Sequence, residues 1–220
     1  MSTRLAIFDC DGTLVDSHAD ICRAMEDCFL HARLEPPPRE ATRRVVGLSL
    51  IDAIAQLLPS GEPAFHAELA EDYKRSFHRL RAGGEIEEPL FEGMLDLLHG
   101  LEADGWLLGI ATGKSDRGLR LCLERHGIHG RFITLQTADG HPSKPHPAMI
   151  EAALDEAAAD PGVSAMIGDT SYDMAMAKAA GVTAIGVGWG YHDAAELLEA
   201  GADFIAERPA DVLAYLKALA

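Results

Sequence analysis

The spacing of apolar residues changes period along the chain, and each change predicts a different element. Leu5 to Phe8 is an unbroken apolar run, which suits a short strand buried on both faces of a parallel sheet. From Ser17 the period becomes helical: Ile21, Met25, Cys28, Phe29 and Ala32 share a face, Ser17 is placed as an N-cap, and Pro36-Pro37-Pro38 stops the helix. A second helical piece leads to Val45-Val46-Gly47-Leu48-Ser49, and a third opens with Leu50, Ile51 and Ile54. A fourth carries the stripe Phe65, Leu69, Tyr73, Phe77 and Leu80 and is ended by Gly83-Gly84. No strand pattern interrupts residues 17 to 84.

Beyond Gly93 strands and helices alternate. Met94, Leu97, Leu98 and Leu101 mark a helix face, Trp106 to Ala111 a strand, Leu119, Cys122 and Leu123 a helix, and Phe132 to Thr134 a short strand. The alternation repeats with a helix at Ile150 to Leu154, a strand at Ala165 to Ile167, a helix at Met174 to Ala180, and strands at Thr183 to Val187 and Phe204-Ile205 before a terminal helix. Such alternation implies a parallel sheet with helices on both faces. The expected architecture is therefore α/β: a Rossmann-like, doubly wound core from residues 1–15 and 86–220, with an all-helical insertion at 16–85. Hinges fall near Asp16 and in the Gly83 to Pro89 stretch.

Composition narrows the class. The chain has 220 residues, 48% of them hydrophobic, ample for a buried core. Its four cysteines, Cys10, Cys22, Cys28 and Cys122, show no zinc spacing or Cys-x-x-Cys pair, so free thiols in the cytoplasm are expected. No signal core or membrane span is expected either. The net charge of −16 argues against nucleic acid or an anionic membrane as partner. Residues 16 to 85 hold 9 basic and 12 acidic side chains, so any basic help for an anionic substrate is local.

The chemistry-bearing residues gather at predicted strand ends, where open parallel sheets place ligands. Asp9 and Asp11 follow the first strand; in extended backbone they point the same way, and two such charges call for a hard oxygen-seeking cation such as Mg²⁺. Gly12 allows a tight turn beside them. After the second strand, Thr112-Gly113-Lys114-Ser115 offers a hydroxyl and loop amides, a possible phosphate cradle and equally an ordinary strand-to-helix turn; Lys114 is expected to face solvent. Ser143-Lys144-Pro145-His146-Pro147 holds a lysine in a stiff loop, with His146 a loop residue. Gly168-Asp169-Thr170-Ser171-Tyr172-Asp173 ends another strand with two acids. Asp173 also suits the first turn of a helix through its dipole; Asp169 has no such role.

Asp9-Cys10-Asp11-Gly12-Thr13-Leu14-Val15-Asp16-Ser17 resembles the first motif of the haloacid dehalogenase superfamily in its phosphatase form, and the three later stretches resemble its other motifs in order, over essentially the whole chain. The resemblance implies the helical-cap branch, with residues 16–85 as cap. It implies Asp9 as nucleophile on phosphorus, Asp11 as general acid and then base, and Thr112, Gly113 and Lys144 on the transferring phosphoryl group. It also implies Mg²⁺ held by Asp9, the Asp11 carbonyl and Asp169, with Asp173 supporting Lys144 or a water at the metal. Phosphoryl transfer asks for an in-line oxygen nucleophile and cations on the equatorial oxygens, which this residue set can supply.

A dehalogenase is disfavoured because halide needs no leaving-group proton, yet Asp11 is present. A mutase of the beta-phosphoglucomutase type tends to carry basic residues in the cap loop, which here is apolar from Val45 to Leu50. A non-catalytic binding protein has no support, since every acid, the threonine and the lysine are retained. Phosphoglycolate phosphatases resemble the chain most, with pyrophosphatases and nucleotide phosphatases close. The implied partner is a small phosphorylated metabolite, for a monomer or homodimer. Arg44, under one helical turn before Gly47, is the expected cap contact to a substrate's anionic tail.

Overall fold

The computed structural model describes residues 2–219. Its centre is a six-stranded, wholly parallel sheet of β1 (Leu5–Phe8), β2 (Leu107–Thr112), β3 (Phe132–Thr137), β4 (Ala165–Gly168), β5 (Thr183–Val187) and β6 (Phe204–Ala206). The spatial order is β3-β2-β1-β4-β5-β6. The winding reverses where β1 lies between β2 and β4, the position at which such sheets open a crevice beyond their carboxyl ends. The fold is the Rossmann-like α/β architecture that the alternating pattern predicts.

The unbroken apolar runs have the expected cause. β1 and β4 are buried along their whole length, with one face of the sheet against Met94, Leu98 and Leu101 of α5 (Met94–Ala103) and the other against Met149 and Ile150 of α7 (Ala148–Ala157). α6 (Asp116–Arg125), α8 (Ser171–Ala180), α9 (Ala194–Glu199) and α10 (Pro209–Leu219) complete the layers. The strands after β2 run up to three residues longer than their apolar cores suggest, because sheet pairing carries polar Gln136 and Thr137 along.

Between β1 and α5 four helices form a layer of their own: α1 (His18–His31), α2 (Arg39–Val45), α3 (Leu50–Leu57) and α4 (Pro63–Ala82). Their small core of Met25, Cys28, Phe29, Ile54, Leu69 and Ala70 is separate from the two clusters flanking the sheet. The chain enters and leaves at one point, where Asp16 N–H donates to the Pro89 carbonyl and Val15 bridges Leu90. Ser17 does precede α1, but its hydroxyl makes no cap bond; it turns to Asp11 instead. Among the described residues no helix is long and apolar enough to cross a membrane.

Candidate active site

Asp9 leaves the end of β1 fully buried. One of its oxygens, Oδ1, accepts from the Cys10 amide at 2.7 Å and lies 3.0 Å from the Lys144 ammonium. The other, Oδ2, is buried without a hydrogen-bond partner. Burial pushes the Asp9 carboxyl up to about 6; the pull of Lys144 opposes this without reversing it, and the Thr112 hydroxyl also favours the charged form.

Lys144 reaches this point from the loop before α7. It donates to Asp173 Oδ1 at 2.7 Å, while Asp173 Oδ2 accepts from the Thr170 amide and hydroxyl and so caps α8. Burial by itself would lower the Lys144 pKa, and Asp173 and Asp9 together hold it well above the ordinary lysine range. Asp169 follows β4, accepting from Thr13 Oγ1 at 2.7 Å and the Tyr191 amide at 3.0 Å; burial and the nearby Asp9 push its carboxyl well above the usual range. Gly12, at φ +86°, is forced: a Cβ there would collide with the Asp169 carboxylate.

Asp9, Asp169 and Asp173 each offer one oxygen, all within 4.8 Å of one another. Three carboxylates against the single Lys144 ammonium leave two formal negative charges in a buried pocket, a divalent cation's complement, and Asp9 Oδ2 is an unsatisfied hard donor inside it. The residues therefore fit Mg²⁺.

Asp11 behaves differently from its neighbour. Rather than crowding Asp9, its carboxylate Oδ1 accepts from Ser17 Oγ at 2.6 Å and from Lys114 Nζ at 2.7 Å. Each acid has acquired its own lysine. Lys114 does not face solvent: it is nearly buried, because it also donates to Glu88 Oε1 at 2.8 Å in the connection from α4 to α5. Desolvation would lower its pKa, yet Asp11 and Glu88 hold it well above normal. Glu88 is wholly buried and is shared with Arg81 of α4.

The helical layer closes over these groups. The Gly47 and Leu48 carbonyls lie so near Gly113 that any Cβ there would strike them, and the Ser49 amide donates to Ser143 Oγ at 2.8 Å. A cavity of about 480 Å³ remains between the layers, with Asp9, Asp11, Thr112, Gly113 and Lys114 on its floor. The structure gives Arg44 a protein partner. Its guanidinium makes two 2.6 Å bonds to Glu196 of α9 and is not among the cavity's lining residues, because α2 turns that face toward α9.

Sequence reasoning missed Glu88, Tyr191 and the inward turn of Lys114 and Ser17. Ser17 stands inside the first motif and could have been found there. Glu88 and Tyr191 carry no local signal, since each is recruited across tens of residues.

A parallel sheet that ends in buried carboxylates and two fixed lysines, beneath a helical layer, is an α/β arrangement whose acids could hold a cation. The chain belongs to the haloacid dehalogenase-like hydrolase family, whose model matches residues 6–187. It is 33% identical over 217 residues to a probable phosphatase, IndB, of Dickeya dadantii, covering 98% of this chain and 94% of that one. It is 31% identical to a phosphoglycolate phosphatase of Pseudomonas putida, covering 98% and 78% respectively. The crystal structure of a hydrolase from Pseudomonas syringae superposes with a TM-score of 0.86 at 27% identity, covering 100% of this chain and 99% of that one.

Proposed function

We propose that this chain is a cytoplasmic, Mg²⁺-dependent phosphatase that hydrolyses a small phosphomonoester through an aspartyl-phosphate on Asp9. The observation that carries the reading is the unpartnered Asp9 Oδ2, a buried carboxylate oxygen of a residue on the cavity floor whose other oxygen lies 3.0 Å from Lys144. Asp9 attacks phosphorus, and the bond from phosphorus to the ester oxygen breaks as Asp11 gives that oxygen a proton. Water then attacks the phosphorus of the aspartyl-phosphate while Asp11 takes its proton, which releases inorganic phosphate and restores both acids. Thr112, the Gly113 loop and Lys144 orient the phosphoryl oxygens.

Asp9, Asp169 and the Asp11 carbonyl would hold Mg²⁺, with Asp173 securing Lys144. Bound there, the cation neutralises charge developing on the phosphoryl group. The Lys114 ammonium and the Ser17 hydroxyl fix the position of the Asp11 carboxyl group. Residues 16–85 act as a cap over residues 1–15 and 86–220. Phosphoglycolate, which the Pseudomonas putida relative's name specifies, is the reference substrate.

Phosphate release from a panel of phosphomonoesters, with and without Mg²⁺, is the test, together with trapping of phosphorylated protein from ³²P-labelled ester. Release should stop on chelation and in Asp9→Asn, and the label should be lost with it. Full activity after exhaustive chelation, or wild-type turnover by Asp9→Asn, rejects the reading.

A further inference from the structure

The cavity walls say more about the substrate than its floor does. Above Asp9 and Asp11 the lining is mainly hydrocarbon: Ile21 and Met25 of α1, Val46 and Leu48 of the cap loop, and Tyr73 with Phe77 of α4, whose rings lie 5.9 Å apart. Ile51, half exposed, stands at the same wall. The buried cations that reach the cavity are already engaged, and Lys74 makes an exposed pair only. Lys114 holds Asp11 and Glu88, and Arg81 holds Glu88. Lys74 is paired with Glu71, and His141 bonds Gln136. His78 is pushed toward its neutral form by burial and by Arg117 and Arg81. Asp52 and Asp139 on the rim add repulsion for a second anionic group.

Building on the phosphatase reading, we infer that the physiological substrate is a phosphomonoester whose remaining part is uncharged and predominantly apolar, of ring size rather than a two-carbon acid. Two physical facts favour this class. A cavity of about 480 Å³ lies within the roughly 300–1,000 Å³ range of sites that enclose drug-sized ligands, and a two-carbon ester would leave most of its hydrocarbon wall uncovered where a ring would cover it. A carboxylate buried there that drew Lys114 to itself would strip Asp11 of its one cation and leave it the Ser17 hydroxyl alone. Tyr73 brings a phenol, a neutral polar group, to this wall.

The experiment compares kcat/KM at saturating Mg²⁺ for phosphoglycolate, ethyl phosphate and 2-phenylethyl phosphate, esters of alkoxides of similar basicity. The 2-phenylethyl ester should lead ethyl phosphate by at least about tenfold, the lower end of what even one methylene can give in an apolar pocket, and phosphoglycolate should be the poorest. Phe77→Ala should remove most of that lead through KM, with the variant's circular-dichroism spectrum as the control on folding. The exposed Ile51→Arg, which leaves the core untouched, should raise phosphoglycolate relative to the aromatic ester severalfold. Phosphoglycolate equal to or better than the 2-phenylethyl ester overturns the inference; if Lys74→Ala then abolishes that preference, Lys74 is the anion contact. Silence on every ester, p-nitrophenyl phosphate included, would instead remove the phosphatase reading and this one with it.

Discussion

Lys144 and Lys114 are both buried ammonium groups bridging two carboxylates at the carboxyl edge of the sheet, yet they belong to different parts of the molecule. Both partners of Lys144 stand on the sheet side: Asp9 after β1 and Asp173 in the first turn of α8. That pair is closed within one rigid layer. Lys114 has one partner there, Asp11, and the other, Glu88, in the segment that leads back from the helical layer, where Arg81 of α4 also grips it. The same chemistry thus serves two ends. One lysine fixes a carboxylate at the floor of the pocket, and the other ties the proposed acid to the position of the helices above.

The largest effect is expected at the acid that Lys114 holds. Asp11→Asn should slow phosphoryl transfer to Asp9 by about 10²–10⁴-fold for alkyl phosphates and far less for p-nitrophenyl phosphate, whose leaving group departs without a proton. Single-turnover measurements isolate that step from the later hydrolysis, in which Asp11 also acts. Equal slowing of both substrates would remove the acid role.

Next come the lysines themselves. Lys144→Met strands Asp9 and Asp173 without their ammonium, so kcat/KM should fall by about 10²–10³-fold and urea melts should lose about 3–5 kcal/mol at neutral pH. Lys114→Met leaves Asp11 its serine and Glu88 its arginine. It should cost about 1–3 kcal/mol and nearer tenfold in rate. Equal losses in the two variants would erase the distinction between a closed and a shared network.

A smaller effect separates the floor by pH. Asp9 is pushed up to about 6 by burial in the metal-free fold, above its ordinary 3.8, so the fold favours the protonated carboxyl. Its contribution to stability is complete below about pH 4 and is lost as pH climbs through 6. Mg²⁺ binds the ionised form, so the rise in Tm that Mg²⁺ produces should grow as pH climbs from 4 through 6, and further where Asp169, also pushed up, ionises. A rise in Tm independent of pH across that window would mean that Asp9 does not hold the cation.

The smallest effect is expected at Arg44. It pairs with Glu196 in a largely solvent-accessible contact away from the cavity, so Arg44→Ala should change KM by less than about twofold and stability by under about 1 kcal/mol. A large rise in KM for carboxylate-bearing esters alone would return Arg44 to the substrate.

Whatever rests on local repetition is legible in the chain alone. Strand and helix alternate at periods that a single chain displays, so the parallel sheet, the helical insertion and nearly every element could be read directly. The acids Asp9, Asp11, Asp169 and Asp173 and the lysine Lys144 were legible because each follows a strand end or sits between prolines, where backbone chemistry announces itself. Tertiary structure decided which charge meets which. Lys114 looked solvent-bound because its partner Glu88 lies 26 residues upstream, and no local pattern pairs Arg44 with Glu196, 152 residues away. Periodicity shows which face of a helix is apolar but carries no distance between charges on separate elements. Once such charges are buried each must find an opposite charge, and only the packed fold brings the two within reach.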